Sequence, residues 1–308
     1  MSAGKMHADE VDTDVMLVRR LLATQFPRWA DLAIEPIRSS GTDNAMYRLG
    51  DDMVVRMPRI GWAVGDVEKE HEWLPRLAPH LPLTIPVPIA LGESGEGYPW
   101  RWSVNPWLDG ETATIERISD PRQMATDLAR FISALRGIDL RREPTPEPPI
   151  SSRGGPLASR DASTRAAIAA LEDLGMIDAE AVTAAWDADS DVPEWHGLPV
   201  WTHGDLQTGN LLAIDGQLSA VIDFGCLGVG DPACDLAVAW NTLTADTREV
   251  FRAAFANDID DATWARGRGW ALSVALIALP YYYVTNPVLA GISRYAIAEV
   301  LSDHQRDA

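Results

Sequence analysis

Lysine and cysteine are scarce in this chain of 308 residues. The two lysines, Lys5 and Lys69, stand beside 24 arginines, and no Gly-x-x-x-x-Gly-Lys-Ser/Thr segment occurs, which excludes a P-loop nucleotide site. The same scarcity leaves almost no candidate for a lysine that forms a Schiff base with a substrate. The two cysteines, Cys226 and Cys234, are too few for a zinc site and do not form a Cys-x-x-Cys pair.

A long apolar run is also missing. The longest apolar stretch, residues 270–284, is too short to span a bilayer and contains Pro280, so it predicts a buried helix. The segment before Val15 has no apolar core behind Lys5 and does not match a secretory signal. We therefore expect a cytoplasmic protein that does not act in a membrane.

Positive charge is the third shortage, because the formal net charge is −19. Such an acidic chain is a poor match for a phosphate backbone, which argues against nucleic acid as a partner. Residues 1–107 carry 15 acidic and 11 basic residues, whereas residues 108–308 carry 30 and 15. This excess usually forms a solvated acidic surface, and a cleft that attracts cationic ligands is the alternative.

The order of the expected elements gives a small α+β lobe followed by a larger, mainly helical lobe. The first part has helices at 15–26 and 66–81, the latter with Asp66 as its N-cap, and five strands within 34–59 and 85–108, with turns at 39–44 and 50–52. The second part has helices at 120–138, capped by Asp120, and at 161–174 and 178–188, with a Pro-rich surface loop at 142–156. The length agrees with two lobes, 1–107 and 108–308.

One short region carries residues that suit phosphoryl transfer. His203, Asp205 and Asn210 lie in "HGDLQTGN", and Asp223 follows in "VIDFG". This transfer needs a carboxylate beside the acceptor hydroxyl and oxygen ligands that hold Mg²⁺ across the nucleotide phosphates. Asp205 fits the first role, and Asn210 and Asp223 fit the second. A loop of caps and turns is the plain alternative, and His203 is expected to be a packed scaffold residue.

The segment between the two metal-ligand candidates, "LLAIDGQLSAVI", predicts a hairpin that turns at Asp215 and Gly216. A hairpin brings its two ends together. Asn210 and Asp223 could then share one ion.

"HGDLQTGNLL…VIDFGCLGVGDPACDLA" resembles the aminoglycoside phosphotransferase family, which has a protein-kinase-like fold. "YRLGDDMVVRMPR" and "WSVNPWLDG" resemble that family's nucleotide lobe, so the likeness extends over nearly the whole chain. The resemblance implies a bilobal α+β fold. A small lobe with a five-stranded antiparallel sheet and one inserted helix would precede a larger, mainly helical lobe. The implied cofactors are ATP or GTP and Mg²⁺.

The family's roles transfer residue by residue. Asp205 matches the catalytic aspartate, Asn210 the amide metal ligand, and Asp223 the aspartate that chelates magnesium. Asp235 matches an acid that braces the catalytic loop, although a helix cap explains it equally well. Asp231 is interpreted as support for the same loop.

Strand alternation puts Val54 and Arg56 on one face of a strand. Kinase-like folds use such a pair, an apolar residue against adenine and a cation for the α- and β-phosphates. Arginine stands here where lysine is commoner, which keeps the charge but changes reach and geometry. Glu70 on the following helix is the expected partner of Arg56, with Glu68 and Glu72 as competitors.

Other nucleotide contacts are indicated more weakly. The turn "SSGTDN" offers Ser40 and Thr42 to phosphate, although it has a single glycine. "SVNPWLDG" resembles the hinge between lobes, where backbone groups near Pro106 and Leu108 would meet the adenine edge. Arg59 is the fallback cation.

The acceptor is expected to be a small molecule. A protein kinase needs a long activation segment after Asp-Phe-Gly, whereas "CLGVGDPACDLAVAW" leads almost directly into a helix. The acidic second lobe favours a cationic acceptor such as an aminoglycoside, with acids in 109–120, 187–194 and 258–261 as contributors. A macrolide, choline, homoserine or another metabolite is the alternative, and a non-catalytic nucleotide-binding module is a further one. The chain is expected to be a monomer or a homodimer.

Overall fold

The computed structural model of the chain describes residues 10–37, 43–139, 153–256 and 258–307. Their fold divides into two compact units. The first unit takes its described residues from Met1–Pro79, Thr84–Asp109 and Val221–Gly225. The second takes them from His80–Leu83, Gly110–Ala220 and Cys226–Ala308. The single boundary expected after residue 107 stays a prediction.

The first unit is built on a five-stranded antiparallel sheet, which confirms the expected number of strands. The strands are β1 (Ile34–Ile37), β2 (Asn44–Leu49), β3 (Met53–Pro58), β4 (Ala90–Gly92) and β5 (Trp102–Pro106), in the order β1-β2-β3-β5-β4. The turn between β2 and β3 contains Gly50 at φ +60°, a conformation that glycine adopts without steric cost. The expected turn at 39–44 lies mostly outside the described residues.

The two faces of this sheet differ in chemistry. One face is apolar: Tyr47, Val55 and Val104 belong to a buried core that includes Leu21 and Leu22 of helix α1 (Val15–Gln25). The other face is polar around its centre, because the register pairs Arg56 with Ser103 and Val54 with Asn105. Paired residues in an antiparallel sheet point to the same side. The sheet therefore presents an arginine, a serine and an asparagine together, on the side away from the apolar core.

The inserted helix α2 (Val64–Leu77) connects β3 to β4 and packs against β4 and β5. The expectation that Asp66 caps this helix was wrong, since the helix begins at Val64 and Ala63 stands at its N-cap without a side-chain hydrogen bond. Asp66 instead accepts from Lys69 Nζ at 2.8 Å within the first turns. A carboxylate early in a helix is still favoured by the helix dipole.

The second unit is mainly helical, as expected. Its described helices are α3 (Pro121–Arg136), α4 (Asp161–Asp173), α5 (Ala179–Ser190), α6 (Val238–Asn241), α7 (Ala245–Ala254), α8 (Asp261–Tyr282) and α9 (Pro287–Asp307). Helix α8 packs against α4, α5 and α9, and fully buried Trp186, Trp240 and Trp270 fill the interior. Asp120 caps α3 by accepting from the backbone N–H groups of Arg122 and Gln123 at 3.0 Å, which confirms the expected start of this helix.

Two small sheets hold the motif-bearing loops. Their strands are β6 (Glu111–Thr112), β7 (Val200–Thr202), β8 (Leu211–Ile214), β9 (Gln217–Val221) and β10 (Gly228–Gly230), with β7 paired to β10 and β8 lying between β6 and β9. The expected hairpin is confirmed, since β8 and β9 join at Asp215 and Gly216, with φ +51° and +75°. Two successive positive φ values are typical of a tight Asp-Gly hairpin turn.

The apolar stretch at 270–284 is only partly buried. Trp270 and Leu279 are in the core, but Tyr281, Tyr283 and Val284 are 52%, 42% and 72% exposed. The expectation of a buried helix therefore holds for its first part and was wrong for its end. Within the described parts of the chain, no helix combines the length and the apolar character needed to cross a membrane.

Candidate active site

In the first unit, Arg56 lies at the centre of a buried ionic cluster. Its side chain is 8% exposed, and its Nη1 donates to Oε2 of Glu70, which is 1% exposed. Its Nη2 donates to Oδ1 of Asp223 at 3.2 Å. Asn44 completes the cluster, because its amide oxygen, turned towards the guanidinium, accepts from Nε and Nη2 at 3.1 Å. Arg56 on β3 thus joins the inserted helix to the Asp-Phe-Gly segment.

The acids that compete with Glu70 have other partners. Glu68 pairs with Arg101 at 3.0 Å, and Glu72 pairs with Arg76 at 3.6 Å. Both pairs are substantially exposed. Glu70 is therefore the residue of α2 that pairs with Arg56.

Burial and opposite charge act against each other in this cluster. Removal from water alone would lower the pKa of Arg56, but the neighbouring Glu70 and Asp223 carboxylates outweigh this effect and raise it. Burial raises the pKa of Glu70, and Arg56 offsets only part of that rise. Oε1 of Glu70 is buried and finds no hydrogen-bond partner among the described residues. The cluster is therefore costly to assemble and depends on the guanidinium.

The turn that carries Asp223 is held by α2. Asp223 has φ +63°, a left-handed conformation that non-glycine residues rarely adopt. Lys69 Nζ donates to the carbonyl oxygen of Gly225. A Cβ atom on Gly225 would lie 3.1 Å from Oδ2 of Asp66, so a larger residue there would crowd that carboxylate. Lys69 and Asp66 thus fix the turn from the helix side.

Asp223 suits a hard cation. Its side chain is 47% exposed although Oδ1 accepts from Arg56, so the carboxylate is accessible from the other side. Mg²⁺ prefers oxygen ligands and keeps several of its positions for water and phosphate. The residues described contain no group of three or more His, Cys, Asp or Glu that could hold a metal ion. A magnesium ion bound here would need amide or phosphate oxygens as well.

In the second unit, the loop after β7 holds Asp205 in a defined orientation. Nδ2 of Asn210 donates to the backbone oxygen of Asp205 at 2.8 Å and to its Oδ2 at 3.1 Å. Gln207 Nε2 lies 3.4 Å from the same Oδ2. Because Asn210 uses its nitrogen for Asp205, its amide oxygen is the atom suited to a cation. The loop therefore combines an oriented, partly exposed carboxylate with an oxygen donor for Mg²⁺.

Asp235 braces the backbone of the loop that carries Asp205. Its side chain is buried, and its two oxygens accept from the backbone N–H groups of His203 at 2.9 Å and Gly204 at 2.7 Å. Burial raises the pKa of Asp235, and the neighbouring His203 and these two N–H groups offset part of the rise. His203 is fully buried and its Nδ1 accepts from the backbone N–H of Asp205 at 3.2 Å. Of the two readings of Asp235, a loop brace and a helix cap, the contacts agree with the brace.

Asp231 is the capping residue in this segment. Its Oδ1 accepts from the backbone N–H of Ala233 at 3.0 Å, and its Oδ2 accepts from Arg266 Nε at 2.7 Å. Asp231 therefore starts the 3-10 helix Pro232–Ala237, which carries Asp235. Its support for the loop that carries Asp205 is indirect.

The remaining nucleotide-site candidates are placed less completely. Val54 is 5% exposed and lies on the sheet face that carries Arg56. Pro106 ends β5 and Leu108 is half-buried in the segment that follows. Ser40 and Thr42 lie outside the described residues. Arg59 Nη1 lies 3.9 Å from Oε2 of Glu10.

The sheet face around Val54 also holds polar atoms that the sequence did not single out. Ser103 Oγ and Asn105 Oδ1 are buried and have no hydrogen-bond partner in the described part of the chain. Buried polar atoms are usually paired, so these two are suited to a ligand that binds this face. The sequence could have identified these two residues only if the register of β5 against β3 had been known.

Arg153 is a further residue of the candidate site that the sequence did not single out. Its Nη1 donates to Oδ1 of Asp205 and to the backbone oxygen of Gly204, the latter at 3.2 Å. Burial would lower the pKa of Arg153, but the Asp205 carboxylate outweighs it and raises the pKa. Arg153 stands at the end of the Pro-rich 142–156 segment, whose composition indicates only a surface loop. No local signal in the sequence could have found it.

Several acids nominated as contributors to a cationic cleft have structural roles instead. Asp120 and Asp260 cap α3 and α8. Asp189 is fully buried and accepts from Arg268 Nε at 3.0 Å and pairs with His304 at 3.1 Å. The nomination of Asp189 was therefore wrong, because a buried, paired carboxylate cannot meet an acceptor.

Comparison with known proteins shows a family likeness over most of the chain. The sequence model of the phosphotransferase enzyme family matches residues 34–270, more than half of the chain. An aminoglycoside 3'-phosphotransferase from Escherichia coli is 29% identical over 217 residues, which cover 65% of this chain and 73% of that protein.

Solved structures share the fold at lower identity. The GDP complex of an aminoglycoside 2'-phosphotransferase-IIIa has a TM-score of 0.70 and 15% identity, covering 95% of this chain and 100% of that one. A macrolide 2'-phosphotransferase from Brachybacterium faecium has a TM-score of 0.63 and 21% identity, covering 92% and 97%. These likenesses confirm the expected fold class, and the family match confirms the resemblance. The chain belongs to the phosphotransferase enzyme family.

Proposed function

We propose that this enzyme transfers the γ-phosphoryl group of ATP or GTP to a hydroxyl group of a small molecule. The observation that carries the proposal is the arrangement around Asp205. A partly exposed carboxylate is oriented by Asn210 on a loop whose backbone is braced by buried Asp235. Such a carboxylate is what phosphoryl transfer requires beside the acceptor hydroxyl.

Asp205 orients the acceptor hydroxyl and accepts its proton late in the reaction. As the acceptor oxygen bonds to the γ-phosphorus, the bond to the bridging oxygen breaks and its electron pair leaves with the nucleoside diphosphate. Arg56, held charged by Glu70, is the cation for the nucleotide phosphates. Asn210 and Asp223 are the ligands proposed for Mg²⁺, which when bound neutralises the charge that develops on the phosphate oxygens.

We propose an aminoglycoside-type antibiotic as the acceptor. The Escherichia coli relative and the GDP-bound neighbour are both named as aminoglycoside phosphotransferases. A macrolide is the alternative, because a macrolide 2'-phosphotransferase has the same fold. Phosphorylation of either would make the chain an antibiotic-resistance enzyme. A cationic acceptor and a cytoplasmic location, where the nucleotide pool lies, remain parts of this proposal.

The test is a turnover screen with ATP or GTP and Mg²⁺ against aminoglycosides, macrolides and metabolite alcohols. Asp205→Asn is the matched variant, because it keeps the shape of the side chain and removes its charge. We expect kcat to fall by a factor on the order of 10² or more, because proton acceptance and orientation are lost together. Calorimetry with a non-hydrolysable nucleotide should give the same affinity for both proteins.

Two outcomes would contradict the proposal. Asp205→Asn with near-wild-type kcat would remove Asp205 from the mechanism. Metal-dependent nucleotide binding by the wild type without turnover of any acceptor would favour the non-catalytic nucleotide-binding module instead.

A further inference from the structure

Asp205 is held at both of its carboxylate oxygens, and one of the two partners is a cation. Oδ2 accepts from Asn210 Nδ2 at 3.1 Å, whereas Oδ1 accepts from Nη1 of Arg153. The same Nη1 reaches the carbonyl oxygen of Gly204 at 3.2 Å. The side chains of Arg153 and Asp205 are 28% and 24% exposed, so the pair lies at the edge of the solvent.

The backbone beside Arg153 is fixed by close packing. The carbonyl oxygen of Gly154 accepts from the N–H of Asp231 at 2.8 Å. A Cβ atom on Gly230 would lie 2.2 Å from that same oxygen, so glycine at 230 is required for the approach. Asp231 is itself fixed by its ion pair with buried Arg266. These contacts therefore fix the backbone next to Arg153, whose side chain pairs with Asp205.

A second anchor follows four residues later along the chain. Leu157 is 3% exposed, and a Cβ atom on Gly269 of α8 would lie 2.5 Å from its Cδ2. Arg160 Nε then donates to Ser273 Oγ at 3.3 Å on the same helix. The segment 153–160 is thus fastened to both the loop before Pro232 and helix α8.

We infer that Arg153 is a positioning residue for the transfer step, which fixes the catalytic carboxylate through Oδ1 so that Oδ2 can receive the acceptor hydroxyl. The inference rests on the proposed function and extends it by one residue. Arg153 exchanges no proton in the step. The hydroxyl proton passes to Asp205, the acceptor oxygen bonds to phosphorus, and the diphosphate leaves with the electron pair of the broken bond.

The physical reason is the cost of a misplaced base. A carboxylate held at one oxygen can rotate about its Cβ–Cγ bond, whereas one held at both has a single orientation. Charge-assisted hydrogen bonds from arginine are stronger than neutral ones and have a fixed geometry. A displacement of about 1 Å at a reacting group can lower a rate by about 10²-fold.

The experiment compares Arg153→Met, Arg153→Gln and Arg153→Lys with the wild type on an acceptor that the wild type phosphorylates. We expect kcat to fall about tenfold or more in the two neutral variants, with a smaller loss in Arg153→Lys, which keeps the charge. Affinity for a non-hydrolysable nucleotide should not change in any of them, and this measurement also reports folding. Arg165→Met, which removes an exposed arginine paired with Asp161 and Asp187, is the control expected to match the wild type.

A double-mutant comparison separates positioning from general support of the fold. If Arg153 acts through Asp205, adding Arg153→Met to Asp205→Asn should lower the residual kcat very little. Equal losses in both backgrounds, equal losses in the Lys and Met variants, or an unchanged kcat in the neutral variants would each overturn the inference alone. A wild type without any turnover would overturn the proposed function, and the inference with it.

Discussion

Replacement of Glu70 by glutamine tests the ionic cluster of the first unit. The variant keeps the size of the side chain but leaves Arg56 without its buried partner. Breaking a buried ion pair costs about 3–5 kcal/mol when the remaining charge has no other partner. Here Arg56 keeps Asp223 at 3.2 Å and Asn44 at 3.1 Å, and the burial cost of the Glu70 carboxylate disappears. We therefore expect the free energy of unfolding to fall by about 2 kcal/mol.

The assay is urea unfolding followed by tryptophan fluorescence. Glu72→Gln is the matched control, since Glu72 lies on the same helix and pairs with Arg76 at 3.6 Å, with the two side chains 38% and 33% exposed. An exposed pair of this kind should contribute less than about 0.5 kcal/mol. A cycle with Arg56→Met and the double variant should give a coupling energy of about 2 kcal/mol, because only the double variant removes both charges.

Equal unfolding free energies for Glu70→Gln and Glu72→Gln would refute this reasoning. So would a cycle in which the two substitutions are additive. Either result would mean that Asp223 and Asn44 compensate fully for the loss of Glu70.

Two other predictions concern the second unit. Asp235→Asn replaces one of two oxygens that accept from buried N–H groups by an NH₂ group, so we expect a loss of about 1–3 kcal/mol in urea unfolding, together with a lower kcat; an unchanged kcat would contradict the brace. Asp303 accepts from Trp240 and from buried Arg248 at 2.6 Å; burial raises its pKa, but these bonds and Arg306 outweigh that and lower it. Its contribution should be present above about pH 4 and vanish as pH falls through the lowered pKa. Asp303→Asn should therefore be less stable than the wild type at pH 7 and equally stable in strong acid; a gap independent of pH would contradict this.

The parts of the site that lie on one short segment could be predicted from the sequence. Asp205 and Asn210 are separated by a fixed number of residues in one loop, and chemistry that needs a carboxylate and an amide close together leaves that spacing visible. The five strands and α3 were predicted correctly for the same reason, because periodicity, turns and caps are local. Strand alternation placed Val54 and Arg56 on one face, and the resemblance to kinase-like folds supplied the role expected of Arg56.

The contacts that could not be predicted from the sequence join residues that lie far apart along the chain. Arg153 meets Asp205 across 52 positions, and Lys69 meets Gly225 across 156. Neither pair has a characteristic spacing in the sequence from which the contact could be predicted. Asp66 shows a related limit: an aspartate before a helical run has the pattern of a cap, yet Val64 can begin the helix earlier and leave that carboxylate for Lys69. Local preference is a weak guide where a nearby cation offers a stronger interaction.

A count of acidic residues does not show which of them already have partners in the folded chain. The excess of acids after residue 107 suggested an attractive cleft, but Asp120 and Asp260 satisfy helix N-termini and Asp189 is buried and paired with Arg268 and His304. Even Asp205 is paired with the guanidinium of Arg153. A carboxylate that is already paired contributes little to the long-range field that concentrates cations. Any attraction for the proposed cationic acceptor therefore has to come from acids other than these, because a paired carboxylate adds little to the field at a distance.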